Sequence, residues 1–193
     1  MSKYCPHLVA LALAFFAFPV AAQDIAGPAR ALVEAEIKGW LEDPLVIDAL
    51  KAQNAKHASL TQADIDAMDQ QWRAETGASS RPMIDAVLGS PLSHHLATLR
   101  ENGQGLYTEI FVMDNKGLNV GQSDVSSDYW QGDEAKWKKS YLAGPGAIHI
   151  GEIEQDESTQ MFQSQISLPV VDPATNAVIG AMTVGVNVDL LTQ

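Results

Sequence analysis

YTEIFVMDNKGLNVGQSDVSSDYWQGDEAKW, residues Tyr107 to Trp137, decides the fold. Tyr107–Asp114 alternates with period two and reads as a strand, Asn115–Gly117 is a tight polar turn, and Leu118–Ser123 is the returning strand. A loop then carries Tyr129 and Trp130 towards a short helix, with Asp133 placed to cap it through Leu142. Further on, Thr159–Val171 and Val178–Val188 are two strands joined by Asp172-Pro173-Ala174-Thr175-Asn176, and Ala147–Glu154 supplies one more.

Upstream of Tyr107 the period is helical. Val33, Ile37, Trp40 and Leu41 fall on one stripe, so Pro28–Glu42 is expected to be amphipathic, and Pro44 opens a second helix. Thr61 followed by Asp64 resembles a capping box for a helix reaching towards Gly77. Arg81–Arg100 holds one or two more helices, broken at Gly89-Ser90-Pro91. Helices first and strands afterwards is the order of an α+β domain.

The first 22 residues are read separately. Lys3, the apolar run Leu8–Ala17 and the small residues Val20 and Ala22 form a secretory signal pattern, with cleavage near Ala22. The apolar stretch is shorter than the roughly 20 residues that a spanning helix needs, and an uncleaved anchor is the alternative. The expected division is 1–22 signal peptide, 23–106 helical part and 107–193 sheet and pocket part of one domain. The single cysteine, Cys5, leaves with the signal, which excludes disulfides and thiol chemistry from a periplasmic or secreted product. With 24 acidic against 12 basic side chains, the net charge of −12 opposes nucleic acid and anionic membrane.

Hairpin, aromatic loop, short helix and closing hairpin, in that order, resemble the extracytoplasmic Cache sensor domains of the single-module PDC type. The resemblance runs from about Ile25 to the end and is sharpest over Asp128–Trp137. It implies a PAS-like five-stranded antiparallel sheet with long N-terminal helices on one face and a small-molecule pocket on the other. The implied role is sensing a small organic ligand and relaying it to a separate membrane-bound signalling partner. A scavenging binding protein, or an interaction protein with a filled pocket, are the alternatives.

Candidate ligand contacts follow. Tyr129 and Trp130 offer apolar faces with polar handles in the loop, while Trp137 and Tyr141, one helical turn apart, either line the pocket or dock the helix. On the strands, Phe111 and Met113 share one face, and Gln165, Ser167 and Thr183 are polar positions facing either water or ligand. Amino-acid-binding relatives carry an arginine just before the Trp-Tyr pair, but no arginine here follows Arg100. A carboxylate is then left with Lys136, Lys138 or Lys139, or with backbone N–H groups, and a small monocarboxylate or a cationic amine is favoured over an amino acid. No cofactor, metal or enzyme activity is expected. His57 and His149 are isolated, His94 and His95 point apart on a helix, and Asp124, Asp128 and Asp133 lack a calcium-loop spacing.

Overall fold

The computed structural model describes residues 24–155 and 161–193. The signal segment 1–22, and the start of the strand expected from Thr159, lie outside the described residues.

The chain opens with α1 (Ala26–Leu32), a π-helical turn (Val33–Ile37) and α2 (Lys38–Leu41), joined without a break into one rod. Its core side repeats every four residues through Ala29, Val33 and Ile37, all fully buried, to Leu41. In an α-helix that spacing drifts about 40° per repeat, and the wider π turn takes up the drift. The next helices start where local chemistry places them. α3 (Pro44–Lys56) has Pro44 in its first turn and Asp43 accepting from Leu45 N at 2.8 Å. α4 (Gln62–Thr76) carries the complete Thr61/Asp64 capping box. α5 (Pro82–Leu88) and α6 (Pro91–Asn102) divide at Gly89-Ser90, where Ser90 caps α6.

The strands are β1 (Tyr107–Asp114), β2 (Asn119–Gln122), β3 (His149–Ile150), β4 (Glu154–Gln155), β5 (Phe162–Val171) and β6 (Val178–Asn187). α7 (Ala135–Lys138) precedes β3, and α8 (Val188–Leu191) follows β6. All pairings are antiparallel in the order β2-β1-β6-β5-β3, with β4 also on β5. Taking β3 and β4 as one interrupted edge, this is the five-stranded PAS-like order.

Two expected elements are shorter than the sequence suggests. The edge strand breaks after Ile150: Gly151 N still donates to the Gln165 carbonyl at 2.8 Å, while the Gly151 carbonyl accepts from Ser164 Oγ at 2.9 Å. The roof helix starts from Glu134 rather than Asp133 and ends at Lys138, where Ser140 Oγ donates back to the Lys136 carbonyl.

One face of the sheet carries the main core. Ile110, Val112, Ile166, Val170, Met182, Val184 and Val186 are fully buried there, beneath Val33, Ile37, Leu50 and Leu96 of the helices. Fully burying an aliphatic side chain contributes about 1.5–3 kcal/mol, so this face supplies most of the stability. A second cluster joins α4 and α5 to the loop after β2 through Ile65, Trp72, Ile84, Leu118 and Tyr129. The β1–β2 turn touches that loop backbone to backbone. Gly117 has φ +82°, and a Cβ there would lie 2.5 Å from Gly132 Cα. A Cβ on Gly132 would lie 2.4 Å from Trp130 Nε1.

Candidate functional site

The face of the sheet away from the main core is where a pocket is expected, and much of it is already filled. Phe111, Met113 and Ala181 are buried there under Trp137, with Tyr141 packed alongside. The Trp137 and Tyr141 rings stack at 4.8 Å, and Trp137 Nε1 donates to the Asp114 carbonyl at 3.1 Å. Burial raises the Tyr141 phenol, with the Asp114 charge adding to the effect. Ser167 and Thr183 sit opposite each other on β5 and β6 and bond at 2.9 Å with no exposed surface. The helix therefore docks on a dry floor.

Open space begins beside this floor, towards the broken edge. A cavity of about 470 Å³ lies between α7, β3–β4 and β5. Lys136 and Lys139 line it from the α7 region, His149 and Glu152 from the edge, and Gln163 and Gln165 from β5. Lys136 Nζ stands 5.4 Å from the centre of the Phe111 ring, 2.9 Å from a Glu134 oxygen and 3.0 Å from Gln131 Oε1. Its side chain is 15% exposed, so its charge is held at the wall rather than in bulk water. Burial, with the Lys139 charge, lowers the His149 pKa, so the ring stays neutral near pH 7 and offers one donor and one acceptor. The cavity thus presents ammonium groups, carboxylates and neutral polar groups together. A larger groove of about 720 Å³, between Leu41 of α2 and Pro169 of β5, contains none of the sequence-predicted contacts.

Of the nine sequence-predicted contacts, Lys136 and Gln165 line the cavity. Phe111, Met113 and Trp137 pack beside it, and Ser167 and Thr183 are sealed against each other. Tyr129 and Trp130 lie elsewhere, held by α4. Asp69 Oδ1 accepts from Tyr129 N at 2.9 Å and Trp130 N at 3.0 Å. The Tyr129 ring stacks on Trp72 at 5.3 Å, while Trp72 Nε1 donates to the Ser126 carbonyl at 2.9 Å. Trp130 Nε1 donates to the Lys116 carbonyl at 2.9 Å. Burial raises the Tyr129 phenol well above its ordinary value, with the Asp114 charge adding to the effect. The indole and phenol read as polar handles for a ligand thus belong to the packing of the loop. His149 and Gln163, which line the cavity, were not among the expected contacts.

Among the described residues no group of three or more His, Cys, Asp or Glu side chains is placed to hold a metal ion, and no helix is long and apolar enough to cross a membrane.

No family model matches the chain, and no curated protein matches it. Among solved structures it is similar to the sensor domain of the V. cholerae histidine kinase DctB, with 15% identity and TM-score 0.47, covering 86% of this chain and 53% of that one. The ligand-binding domain of the Campylobacter jejuni chemoreceptor Tlp3, in complex with 4-methylisoleucine, is 10% identical over 79% of this chain and 64% of that one, with TM-score 0.40. That of the Pseudomonas aeruginosa PAO1 amino acid chemoreceptor PctC, in complex with GABA, is 11% identical over 77% and 61%, with TM-score 0.39. The chain spans between 53% and 64% of the length of these structures.

One expectation is corrected by these findings. The expected preference for a small monocarboxylate or cationic amine over an amino acid is not upheld: among the similar structures, those of Tlp3 hold isoleucine, L-valine and L-norvaline and that of PctC holds GABA. The absence of an arginine after Arg100 does not leave the cavity without cations. Lys136 and Lys139 place positive charge at the cavity without an arginine.

Proposed function

We propose that the chain is an extracytoplasmic ligand-sensing domain of the Cache/PDC type, binding a small dipolar organic molecule in the cavity between α7 and the β3–β4–β5 edge. The carrying observation is that cavity, with Lys136 and Lys139 for an anionic group and Gln165 and neighbouring carboxylates for a cationic one. Trp137, Phe111 and Met113 fill the floor beside it, and α7, which lines the cavity through Ala135 and Lys136, connects the site to that floor. In this reading Met1–Ala22 is a cleaved export signal, 23–106 and 107–193 form one domain, and ligand occupancy passes to a separate membrane-bound partner.

Thermal shift and calorimetry with L-norvaline, L-valine and GABA test the site. A ligand at a hundred times its Kd stabilises the native state by about 2.7 kcal/mol, a readable rise in Tm. Lys136→Met is expected to abolish the rise while leaving the free protein folded. A panel of amino acids and related metabolites that gives no shift refutes the site. Intact mass of exported protein checks the signal, with Gln23 expected at or near the new N-terminus.

A second reading, an interaction protein without a ligand, is favoured by the burial of Ser167 and Thr183 and the filled floor around Phe111. It predicts no shift with any metabolite and a surface-dependent partner instead.

A further inference from the structure

Gly185 of β6 lies between Glu109 of β1 and Gln165 of β5, in register with both. With no side chain on the central strand, Glu109 reaches across it, and Gln165 Nε2 donates to Glu109 Oε1 at 2.7 Å. A Cβ on residue 185 would stand 2.7 Å from Glu109 Cγ and 2.4 Å from Thr108 Oγ1. The crossing therefore depends on glycine at that position.

A carboxylate offers only acceptors, whereas a primary amide has a donor end and an acceptor end. Gln165 can meet Glu109 only through its nitrogen. That fixes which way the amide lies, and leaves its carbonyl oxygen as the end that Glu109 does not engage. Gln165 lines the cavity; Glu109 is not part of that lining. We infer that Glu109 is a positioning residue that orients the Gln165 amide, so that the β5 wall presents an acceptor and selects the ammonium end of a dipolar ligand. The inference rests on the cavity being a small-molecule site, as proposed above. It also assigns polarity within the site, with the donor end of the ligand on β5 and the carboxylate end towards Lys136 and Lys139.

L-norvaline and pentanoate share a carbon chain and differ by the ammonium group, which makes them matched probes for calorimetry on the whole chain. The wild type is expected to bind L-norvaline at least tenfold more tightly than pentanoate, the ratio that one good hydrogen bond to a charged group provides, roughly. Glu109→Gln releases the amide, because glutamine can present either end to Gln165, and brings the two affinities within about twofold of each other. Gln165→Met, which removes the amide, is expected to do the same, and serves as the second variant should Glu109→Gln fail to fold. An unchanged ratio in a folded Glu109→Gln or Gln165→Met protein overturns the inference. Equal weakening of both probes also overturns it, since that is the mark of a purely structural role. If the wild type binds neither probe, the reading of the cavity itself fails, an outcome distinct from binding without discrimination.

Discussion

Asp69 holds the aromatic loop, and removing its carboxylate tests how. Both loop amides, Tyr129 N and Trp130 N, bind the same atom, Asp69 Oδ1, while Arg73 Nε binds Oδ2 at 2.7 Å. The Asp69 side chain is 13% exposed and the Arg73 side chain 54% exposed. Two largely sheltered amide bonds to a carboxylate outweigh an ion pair open to water, which is worth about 0–1 kcal/mol. Asp69→Ala strands two N–H donors and is expected to cost roughly 2–4 kcal/mol. At roughly 2–4 °C per kcal/mol for a chain of this size, the midpoint for Tm falls by about 9 °C. Asp69→Asn keeps an oxygen at the Oδ1 position and loses the ion pair with Arg73, so it should cost about 1 kcal/mol; Arg73→Ala removes the Arg73–Asp128 bond as well and is expected to cost more than Asp69→Asn. Urea unfolding followed by tryptophan fluorescence gives the free energies, and amide hydrogen exchange at Tyr129 and Trp130 shows whether those donors are released. If Asp69→Asn proves as destabilised as Asp69→Ala, the charge and not the shared acceptor holds the loop, and the reasoning is wrong.

Trp72→Ala empties a fully buried site and removes both the stack on Tyr129 and the bond to the Ser126 carbonyl; it is expected to cost about 3–5 kcal/mol in the same urea assay, against about half that for Trp72→Phe. Asp172 is held below its ordinary 3.8 by its bonds with Lys51, Ala174 N and Thr175, so its contribution is present above that value and disappears as pH falls through the lowered pKa; Asp172→Asn should flatten the acid limb of stability against pH below about 4.

Most of the fold was legible because its signals are local. Pro44, the Thr61/Asp64 box and the Gly89-Ser90-Pro91 break each mark a helix start within a few residues, and the period-two runs on either side of Asn115–Gly117 mark the hairpin. The broken edge strand was not legible, because the Gly151 carbonyl meets a side chain, Ser164 Oγ, from a strand 13 residues later, a contact that no local pattern announces. The candidate site was harder for the same reason. Tyr129 and Trp130 look like spare aromatics in a polar loop until α4, some 60 residues earlier, supplies Asp69 and Trp72 as partners. Lys136 and Gln165 could be picked out by type and strand face, but the emptiness beside them arises from how far Phe111, Met113 and Trp137 fill the neighbouring floor. No periodicity encodes that.

The contact between Gly117 and Gly132 bears on how this sequence can drift. Most tight contacts in a core can be renegotiated, because one side chain shrinks when its neighbour grows. Here the obstacle on each side is main chain or the Trp130 indole that is bonded to the Lys116 carbonyl, so a larger residue at either position has no partner able to give way. The two glycines are thus fixed together, although neither touches the cavity and they stand 15 positions apart in the chain. A survey of tolerated substitutions would show both as intolerant, and proximity to ligand would be the wrong explanation.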